Sequence, residues 1–318
     1  MANGPTRVID LSKKRIMVTG GAGFLGTHLG RLLDAEGATD LVIPRRADVD
    51  FTDQAATRHL IDDARPEIVI HLAAEVGGIG ANRDNPGRYF YANAAMGLNL
   101  IEESRRSGVE KFVQVGTVCA YPKFTEVPFR EENLWSGYPE ETNAPYGVAK
   151  KALLVMLQSY REQYELNGIY LLPANLYGPG DNFDLESSHV IPALIRKFVT
   201  ARDAGEPTVS VWGTGNASRE FLYVEDAARA ILLATQSYDA PEPINVGTNA
   251  EVTIRHLVEL IFDVTGFEGS VEWDSSKPDG QPRRALDTSK AKEHFGFEAT
   301  VSLHEGLRRT IAWWEANC

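Results

Sequence analysis

The sequence predicts an α/β fold with a doubly wound parallel sheet that helices cover on both faces. Short apolar runs alternate with helix-like segments through the first half of the chain, and a glycine cluster follows the first run. Runs that are apolar throughout are typical of strands buried between two layers of helices. The predicted strands are residues 14–19, 41–43, 67–71, 111–115 and 169–172.

Helices are predicted between these strands, over residues 24–36, 53–64, 86–107 and 145–166. Apolar residues at helical spacing and residues that favour helix ends mark these segments. Asn93 lies inside the third helix, where asparagine is a mediocre choice. We therefore expect Asn93 to hydrogen-bond the main chain or water near a functional site.

The second half of the chain has a different organisation. After Gly178 the loops lengthen, and Gly, Pro, Trp and Arg cluster in turns. We expect a first domain over residues 1–178 and a smaller α/β domain over residues 179–318. Residues 221–247 are expected to return to the first domain as a further helix and strand.

Composition excludes several classes of protein. The 318 residues carry a formal net charge of −12, which argues against broad binding to nucleic acid or to an anionic membrane. Two cysteines, Cys119 and Cys318, are too few for a disulfide framework or a structural zinc site, and no metal is expected. The first fourteen residues lack a signal-peptide core, and no apolar run could span a bilayer. A cytoplasmic protein is expected.

A glycine-rich segment links the first strand to the first helix. Glycines there allow a tight turn and a close approach of the backbone to a pyrophosphate, and the helix N-terminus offers free N–H groups. Glycines also serve ordinary turns, but this position favours a dinucleotide site of the Rossmann type. The candidate residues are Gly20, Gly21, Ala22, Gly23, Phe24, Leu25 and Gly26.

The end of the second strand bears on which dinucleotide binds. An NAD site usually has Asp or Glu there, to hold the ribose 2′-hydroxyl. Here the strand ends in Pro44, Arg45 and Arg46. Two guanidinium groups suit a 2′-phosphate and therefore favour NADP(H). The alternative is that both arginines are solvated surface residues.

Tyr146 and Lys150 are a candidate proton-transfer pair. Their i, i+4 spacing puts both on one face of the predicted helix, where the ammonium should lower the pKa of the phenol. Thr117 follows the fourth strand, where doubly wound folds bind ligands, and can hold a substrate oxygen beside Tyr146. The alternative is an amphipathic helix with two unrelated polar residues.

Cys119 and His189 each have two interpretations. Cys119 lies two residues beyond Thr117 and could face the same crevice, although a lone cysteine is more often an inert buried residue. His189 begins a helix after a loop and is either a functional residue or a capping and packing histidine. The residues alone leave both questions open.

Longer motifs resemble a known family. TGGAGFLG, HLAA and YGVAK are similar to the extended short-chain dehydrogenases, which include sugar-nucleotide epimerases and dehydratases. A narrower resemblance, to the GDP-L-fucose synthase family, covers nearly the whole chain. It rests on HLAAEVGGIGANRDNP (71–86), CAYPK (119–123), EETNAPYGVAKKA (140–152), NLYGPGDNF (175–183), SSHVIPALIRK (187–197), VWGTGNASREFLYVEDAA (211–228) and SKPDGQPRR (276–284).

The resemblance implies an NADP-dependent enzyme that converts GDP-4-keto-6-deoxy-D-mannose to GDP-L-fucose. Such enzymes epimerise C3 and C5 and then reduce C4 with NADPH. The resemblance makes Cys119 and His189 the acid/base pair of epimerisation and gives Tyr146 and Lys150 the reductase roles. The family usually has Ser where this chain has Thr117, which keeps the hydroxyl and adds a methyl group.

The resemblance also assigns binding residues. Arg46, Asp50 and Phe51 would surround the adenosine half of the cofactor, and His189 would also contact the cofactor. The nicotinamide would lie against Pro173, Ala174, Asn175 and Leu176. The GDP-sugar would be held by Lys197, Trp212, Arg219 and Arg284, a set of cations with a flat aromatic ring.

Three other functions compete with this interpretation. The first is a related GDP-keto-sugar 4-reductase, for a hexose or heptose, that epimerises one carbon or none. The second is a sugar-nucleotide epimerase or dehydratase that recycles its cofactor. Dehydratases usually carry an acidic pair after the Thr, where this chain has Val118 and Cys119. The third is an inactive NADP-binding protein, which Thr117, Tyr146 and Lys150 argue against.

A homodimer is expected from the two long helices, 86–107 and 145–166. They carry apolar residues beyond one narrow face, and in related enzymes the equivalent helices pair across a two-fold axis. Some of these residues could instead face the sheet. The residues are Tyr89, Phe90, Met96, Leu153, Leu154 and Leu157.

Overall fold

The computed structural model describes residues 8–277 and 280–318, so part of the segment in which no signal peptide was expected, residues 1–7, lies outside it. Twelve strands are present among the described residues. They are β1 (Ile16–Thr19), β2 (Leu41–Val42), β3 (Ile68–His71), β4 (Lys111–Val115), β5 (Gly168–Pro173), β6 (Asn175–Tyr177), β7 (Thr208–Trp212), β8 (Ser218–Arg219), β9 (Phe221–Tyr223), β10 (Ile244–Val246), β11 (Val252–Thr253) and β12 (Ser270–Asp274).

Ten α-helices accompany these strands in the described part of the chain. They are α1 (Phe24–Ala35), α2 (Gln54–Ala64), α3 (Ile79–Asp84), α4 (Pro86–Ser107), α5 (Ala144–Tyr164), α6 (Val190–Ala204), α7 (Val224–Ser237), α8 (Ile254–Thr265), α9 (Ser289–Phe295) and α10 (Leu303–Asn317).

A parallel sheet of six strands forms the centre of the first half, in the order β10-β5-β4-β3-β1-β2. The residues of β1, β3 and β4 are all buried, as strands between two helical layers must be. The predicted doubly wound α/β class is therefore confirmed. The chain moves from β1 to β2 on one side of the sheet and then to β3, β4 and β5 on the other, so the strand order reverses between the neighbours β1 and β3, at the carboxyl ends of these strands.

Local chemistry explains the helix ends. The Asp53 carboxylate accepts hydrogen bonds from the main-chain N–H groups of Ala55 and Ala56 and so caps α2. Helix α4 starts at Pro86 and ends at Gly108, whose φ of 74° is the left-handed conformation that glycine adopts readily. Both α4 ends lie where the sequence predicts them. The short helix α3 was not predicted, because it is a turn and a half between glycines and Pro86.

Residues 221–247 pack against the first half of the chain. Strand β10 pairs with β5, and α7 lies against α1. The Lys111 ammonium, at the start of β4, is buried and donates hydrogen bonds to the carbonyl groups of Ala234, Thr235 and Tyr238. These bonds tie β4 to carbonyls at and just beyond the C-terminal end of α7, of which that of Ala234 also accepts the Tyr238 N–H.

Two hydrophobic clusters support the proposed division into domains. The larger cluster surrounds the six-stranded sheet and includes the apolar residues of α7, together with Leu286, Ala291, Phe295 and Phe297 at and around α9, which the prediction placed in the second domain. The smaller cluster lies among α6, α8, α10 and the strands near them. The domain boundaries near residue 178 remain a proposal that this separation supports.

None of the helices in residues 8–277 and 280–318 has the length and apolar character needed to cross a membrane. The cytoplasmic location stays a prediction.

Candidate active site

A cavity of about 2000 Å³ runs from the glycine-rich loop to the second hydrophobic cluster. Its walls come from the carboxyl ends of the parallel strands and from loops of the second half. All predicted site residues line it except Gly21 and Lys150. Gly21 lies beneath the loop, where a Cβ atom would meet Ile43 and the Val18 carbonyl.

The glycine-rich loop is built for close packing. Gly20 has a φ of +72°, and a Cβ atom on it would lie 2.8 Å from the main-chain nitrogen of Ala73. A Cβ atom on Gly26 would lie 2.3 Å from the Gly20 carbonyl oxygen. Helix α1 begins directly after Gly23, and no side chain caps its first N–H groups. Free N–H groups above a glycine turn fit a pyrophosphate.

The predicted adenosine end of the cavity contains an ion-pair cluster. Glu75 accepts a hydrogen bond from the Arg46 guanidinium at 2.9 Å and another from Arg88 at 2.6 Å. Asn93 holds the main chain of Glu75 on both sides, with bonds to its N–H at 3.2 Å and to its carbonyl at 2.7 Å. The expectation that Asn93 binds main chain near the site is confirmed. The Glu75 carboxylate therefore orients the Arg46 guanidinium through this hydrogen bond.

Tyr146, Thr117 and Cys119 lie together where β4 ends and α5 begins. The Thr117 hydroxyl accepts a hydrogen bond from the main-chain N–H of Cys119 at 3.2 Å. Gly147 brings α5 against the cysteine, because a Cβ atom on Gly147 would lie 2.5 Å from the Cys119 carbonyl oxygen. A larger residue at position 147 would push Tyr146 away from this group.

The prediction that Lys150 lowers the pKa of Tyr146 is wrong for this structure. Burial raises the pKa of the Tyr146 phenol, and the neighbouring Cys119 raises it further, while the Thr117 hydroxyl lowers it. Lys150 is 1% exposed, and its ammonium donates a 3.4 Å hydrogen bond to the Val115 carbonyl. Burial lowers the pKa of Lys150 to about 8. Tyr146 is thus a protonated phenol at neutral pH, suited to donating a proton.

Cys119 has a cation beside its sulfur. Nη1 of Arg284 donates to the Cys119 Sγ at 3.5 Å, although the two residues are far apart in the sequence. Arg284 is buried, at 7% exposure. The sequence placed Arg284 with the GDP-sugar and gave no reason to place it against Cys119. The structure therefore brings a predicted binding residue to a predicted acid/base residue.

His189 precedes α6, at the end of a loop that is held by hydrogen bonds within it and to a neighbouring segment. The Asp184 carboxylate accepts hydrogen bonds from the main-chain N–H groups of Glu186 and Ser187. The Ser187 carbonyl accepts a bond from Gly78, which ties the loop to the segment after β3. The His189 imidazole makes no capping bond to α6 and is accessible from the cavity. Surrounding protein lowers its pKa, so it is uncharged at neutral pH.

The far end of the cavity has exposed aromatic and cationic groups. Trp212 is 62% exposed, and the ammonium groups of Lys197 and Lys277 lie 5.7 and 5.5 Å from its ring centre. Arg219 donates to the main-chain oxygen of Gln281 at 2.6 Å. A flat ring between cations can bind a base or sugar next to a diphosphate.

Glu75, Gln281 and Asp181 are among the cavity residues that the sequence did not single out. Glu75 bonds Arg46, and Gln281 bonds Lys123 and the nearby Arg284, and no pattern in the sequence indicates these contacts. Asp181 lies in the NLYGPGDNF motif, which did point to this loop. Burial raises the pKa of its carboxyl group to about 7, and the structure gives its Oδ2 atom no hydrogen-bond partner.

No group of three or more His, Cys, Asp or Glu side chains arranged to hold a metal ion occurs in the described residues, 8–277 and 280–318.

Comparison with known proteins identifies the family. The model of the NAD dependent epimerase/dehydratase family matches residues 16–247. GDP-L-fucose synthase 1 of Arabidopsis thaliana is 42% identical over 98% of this chain and 97% of its own length. GDP-L-fucose synthase of Escherichia coli is 38% identical over 96% of this chain and 98% of its own length.

Solved structures show the same architecture. A GDP-6-OMe-4-keto-L-xylo-heptose reductase from C. jejuni superposes with a TM-score of 0.92, at 28% identity, over 96% of this chain and 99% of its own. A GDP-L-fucose synthetase from Naegleria fowleri bound to NADP gives a TM-score of 0.89, at 29% identity, over 99% of this chain and 98% of its own. This chain belongs to the NAD dependent epimerase/dehydratase family and, within it, to the GDP-L-fucose synthase family.

Proposed function

We propose that this protein is an NADP(H)-dependent enzyme that epimerises C3 and C5 of GDP-4-keto-6-deoxy-D-mannose and reduces C4 to give GDP-L-fucose. One observation carries the proposal: a single cavity joins a dinucleotide loop, a Thr–Cys–Tyr cluster and a histidine loop. The similarity to GDP-L-fucose synthases over nearly the whole chain supports the substrate.

Epimerisation requires proton exchange on opposite faces of the sugar. The C4 ketone acidifies the C–H bonds at C3 and C5, so one group removes a proton and another returns one to the opposite face. Cys119 and His189 perform this exchange from two different loops. Tyr146 and Thr117 hold the C4 oxygen as negative charge develops on it.

Reduction uses the same C4 oxygen. The glycine loop at the start of α1 would hold the pyrophosphate of NADPH, which when bound would supply the hydride for C4. Tyr146 donates its proton to the C4 oxygen as negative charge develops there, and its raised pKa keeps it protonated until that step. Lys150 would orient the nicotinamide ribose, and Pro173 to Leu176, which line the cavity, would hold the nicotinamide.

A second candidate function is reduction of a GDP-keto-heptose without full epimerisation. The close superposition on a C. jejuni heptose reductase favours it. Both functions need the same cofactor and the same proton donor, so the wall of the sugar pocket decides between them.

The decisive experiment measures NADPH consumption with GDP-4-keto-6-deoxy-D-mannose, followed by NMR of the sugar product. Consumption with GDP-L-fucose as the product supports the proposal. An unepimerised product would favour the simple reductase. If NADPH is not consumed with this substrate, both GDP-L-fucose synthesis and simple reduction of this hexose are contradicted, and the GDP-keto-heptose becomes the substrate to test.

Cofactor choice gives a test of its own. Replacing Arg45 and Arg46 with Ala should weaken NADPH binding about tenfold to a hundredfold, because each guanidinium can form charge-assisted bonds with the 2′-phosphate. NADH binding should change little, because NADH has no 2′-phosphate. Fluorescence titration of both cofactors measures the difference. Arg83→Ala is the control, since Arg83 pairs with Asp84 outside the cavity.

Equal losses for NADPH and NADH would mean that Arg45 and Arg46 only stabilise the fold. An unchanged Arg83 variant would show that removing a surface guanidinium has no general effect on the cofactor.

We also propose a homodimer through α4 and α5, in which Phe90 stays a contact residue as the sequence suggested and the three leucines of α5 do not. Leu153, Leu154 and Leu157 are at most 1% exposed, because they face the protein interior. The exposed apolar side chains are Phe90 and Leu98 on α4 and Val155 on α5. The two helices lie side by side and can pair with the same helices of a second copy.

Light scattering at micromolar concentration should therefore show a dimer. Leu98→Asp combined with Val155→Asp should give a monomer, because a charge would be buried at the interface. Phe124→Asp is the control, since Phe124 is 88% exposed and lies outside both helices. A monomeric wild-type protein, or a dimer that survives the double substitution, would contradict this interface.

A further inference from the structure

We propose that Gln281 is a positioning residue for epimerisation: its amide holds Arg284 against Cys119, and its main chain holds Arg219. The inference rests on the proposed function for the role of Cys119. Gln281 is 4% exposed and lines the same cavity as Cys119. It has no reacting group, so it acts through the residues that it holds.

The amide oxygen of Gln281 fixes the plane of the Arg284 guanidinium. It accepts hydrogen bonds from Nε of Arg284 at 3.2 Å and from Nη2 at 2.8 Å. Two bonds from one planar group to one oxygen leave the guanidinium little freedom to rotate. The remaining Nη1 then faces the Cys119 sulfur, at 3.5 Å.

The amide nitrogen of Gln281 ties this arrangement to the segment that carries the cysteine. It donates to the Lys123 carbonyl at 2.9 Å. Lys123 follows Cys119 by four residues, and its own N–H bonds the Tyr138 carbonyl. One side chain therefore joins the cation and the Cys119 segment, which are otherwise on separate parts of the chain.

The main chain of Gln281 also positions a second cation of the cavity, Arg219. Its carbonyl accepts a 2.6 Å hydrogen bond from Arg219, whose Nη1 also bonds the Ser218 carbonyl at 2.7 Å. The segment after Gln281 is anchored as well, because the Leu286 N–H donates to the buried Glu220 carboxylate. Arg219 and Arg284 thus take their positions from the same short segment.

A neutral amide suits this position better than a carboxylate. A carboxylate on Arg284 would form a charge-assisted pair and neutralise the guanidinium. Gln281 orients the guanidinium and leaves its positive charge to act on the sulfur and on bound substrate. A hydrogen bond to sulfur is stronger when the sulfur is negatively charged, and the thiolate is the reactive form of cysteine.

Gln281→Met and Gln281→Asn test this role. Methionine keeps the approximate size of the side chain and removes both amide contacts. Asparagine keeps the amide, but its side chain is one methylene group shorter, so the amide oxygen no longer reaches Arg284. Both should lower deuterium exchange at C3 and C5 by about tenfold, as expected when bonds to a charged group are lost. NADPH binding, measured by fluorescence titration, should stay unchanged. Gln158→Met is the control, because Gln158 also donates to a carbonyl, that of Pro241, outside the cavity.

A substrate-free measurement separates this inference from the proposed function. Alkylation of Cys119 by iodoacetamide, followed by mass spectrometry of its peptide, should be several-fold slower in both Gln281 variants than in Gln158→Met. This holds whatever sugar the enzyme uses. Cys318 lies on a different peptide and provides an internal reference.

The outcomes are distinct. Wild-type protein that neither exchanges nor reduces the substrate would contradict the proposed function, yet slower alkylation would still support the Arg284 placement. Normal exchange in an active Gln281→Asn variant would overturn the positioning role. So would an alkylation rate equal to that of Gln158→Met in either folded Gln281 variant.

Discussion

Tyr146→Phe is expected to lower NADPH oxidation about 10²–10⁴-fold, the usual contribution of a general acid. The proposed mechanism has Tyr146 protonate the C4 oxygen, and burial raises its pKa so that it holds its proton at neutral pH. The variant loses only the hydroxyl. Exchange of solvent deuterium at C3 or C5 should persist in part, because Thr117, Cys119 and His189 remain. Stopped-flow absorbance of NADPH and NMR of the sugar measure the two steps.

A second tyrosine provides a matched control. Tyr238 is 2% exposed and donates one hydrogen bond, to the Glu242 carbonyl, outside the cavity. Tyr238→Phe removes a buried hydroxyl at a cost of about 1 kcal/mol in stability and should leave NADPH oxidation unchanged. Rapid NADPH oxidation by Tyr146→Phe would mean that another group protonates the C4 oxygen.

The sheet and the dinucleotide loop could be predicted because their signals are local. Apolar runs such as Ile68, Val69 and Ile70 favour strands that are buried on both faces. Asp53, Pro86 and Gly108 mark helix ends through their own local chemistry. The glycine loop likewise lies within one strand–turn–helix unit. Within such a unit the sequence predicts the local structure, because few other backbone conformations are sterically allowed.

The interactions within the site could not be predicted in the same way. The contact of Glu75 with Arg46 depends on the pairing of β3 with β1, and that of Arg284 with Cys119 on the packing of the second half of the chain against the sheet. The sequence therefore named the residues but not their partners. The pKa of Tyr146 shows the same limit, because spacing indicates Lys150 but cannot indicate burial.

Cys119→Ser is expected to impair epimerisation and to leave the cofactor bound. Serine keeps the approximate size, but an alcohol is a far weaker acid than a thiol. Exchange of solvent deuterium at C3 or C5 should fall about 10²–10⁴-fold. The Kd for NADPH should be unchanged, because the dinucleotide loop and the arginines at positions 45 and 46 are intact. Cys318→Ser is the control, since Cys318 is exposed at the C-terminus.

The product of the Cys119→Ser variant distinguishes the two candidate functions. Tyr146 and Lys150 are intact, so the variant can still reduce C4 and release an unepimerised or half-epimerised GDP-sugar. NMR of that product identifies at which of C3 and C5 epimerisation depends on Cys119; at each carbon the mechanism also requires His189 on the opposite face. Full exchange and normal product stereochemistry would remove Cys119 from the mechanism. The contact between Arg284 and the sulfur would then serve packing alone, and a simple 4-keto reductase would become the better description of this enzyme.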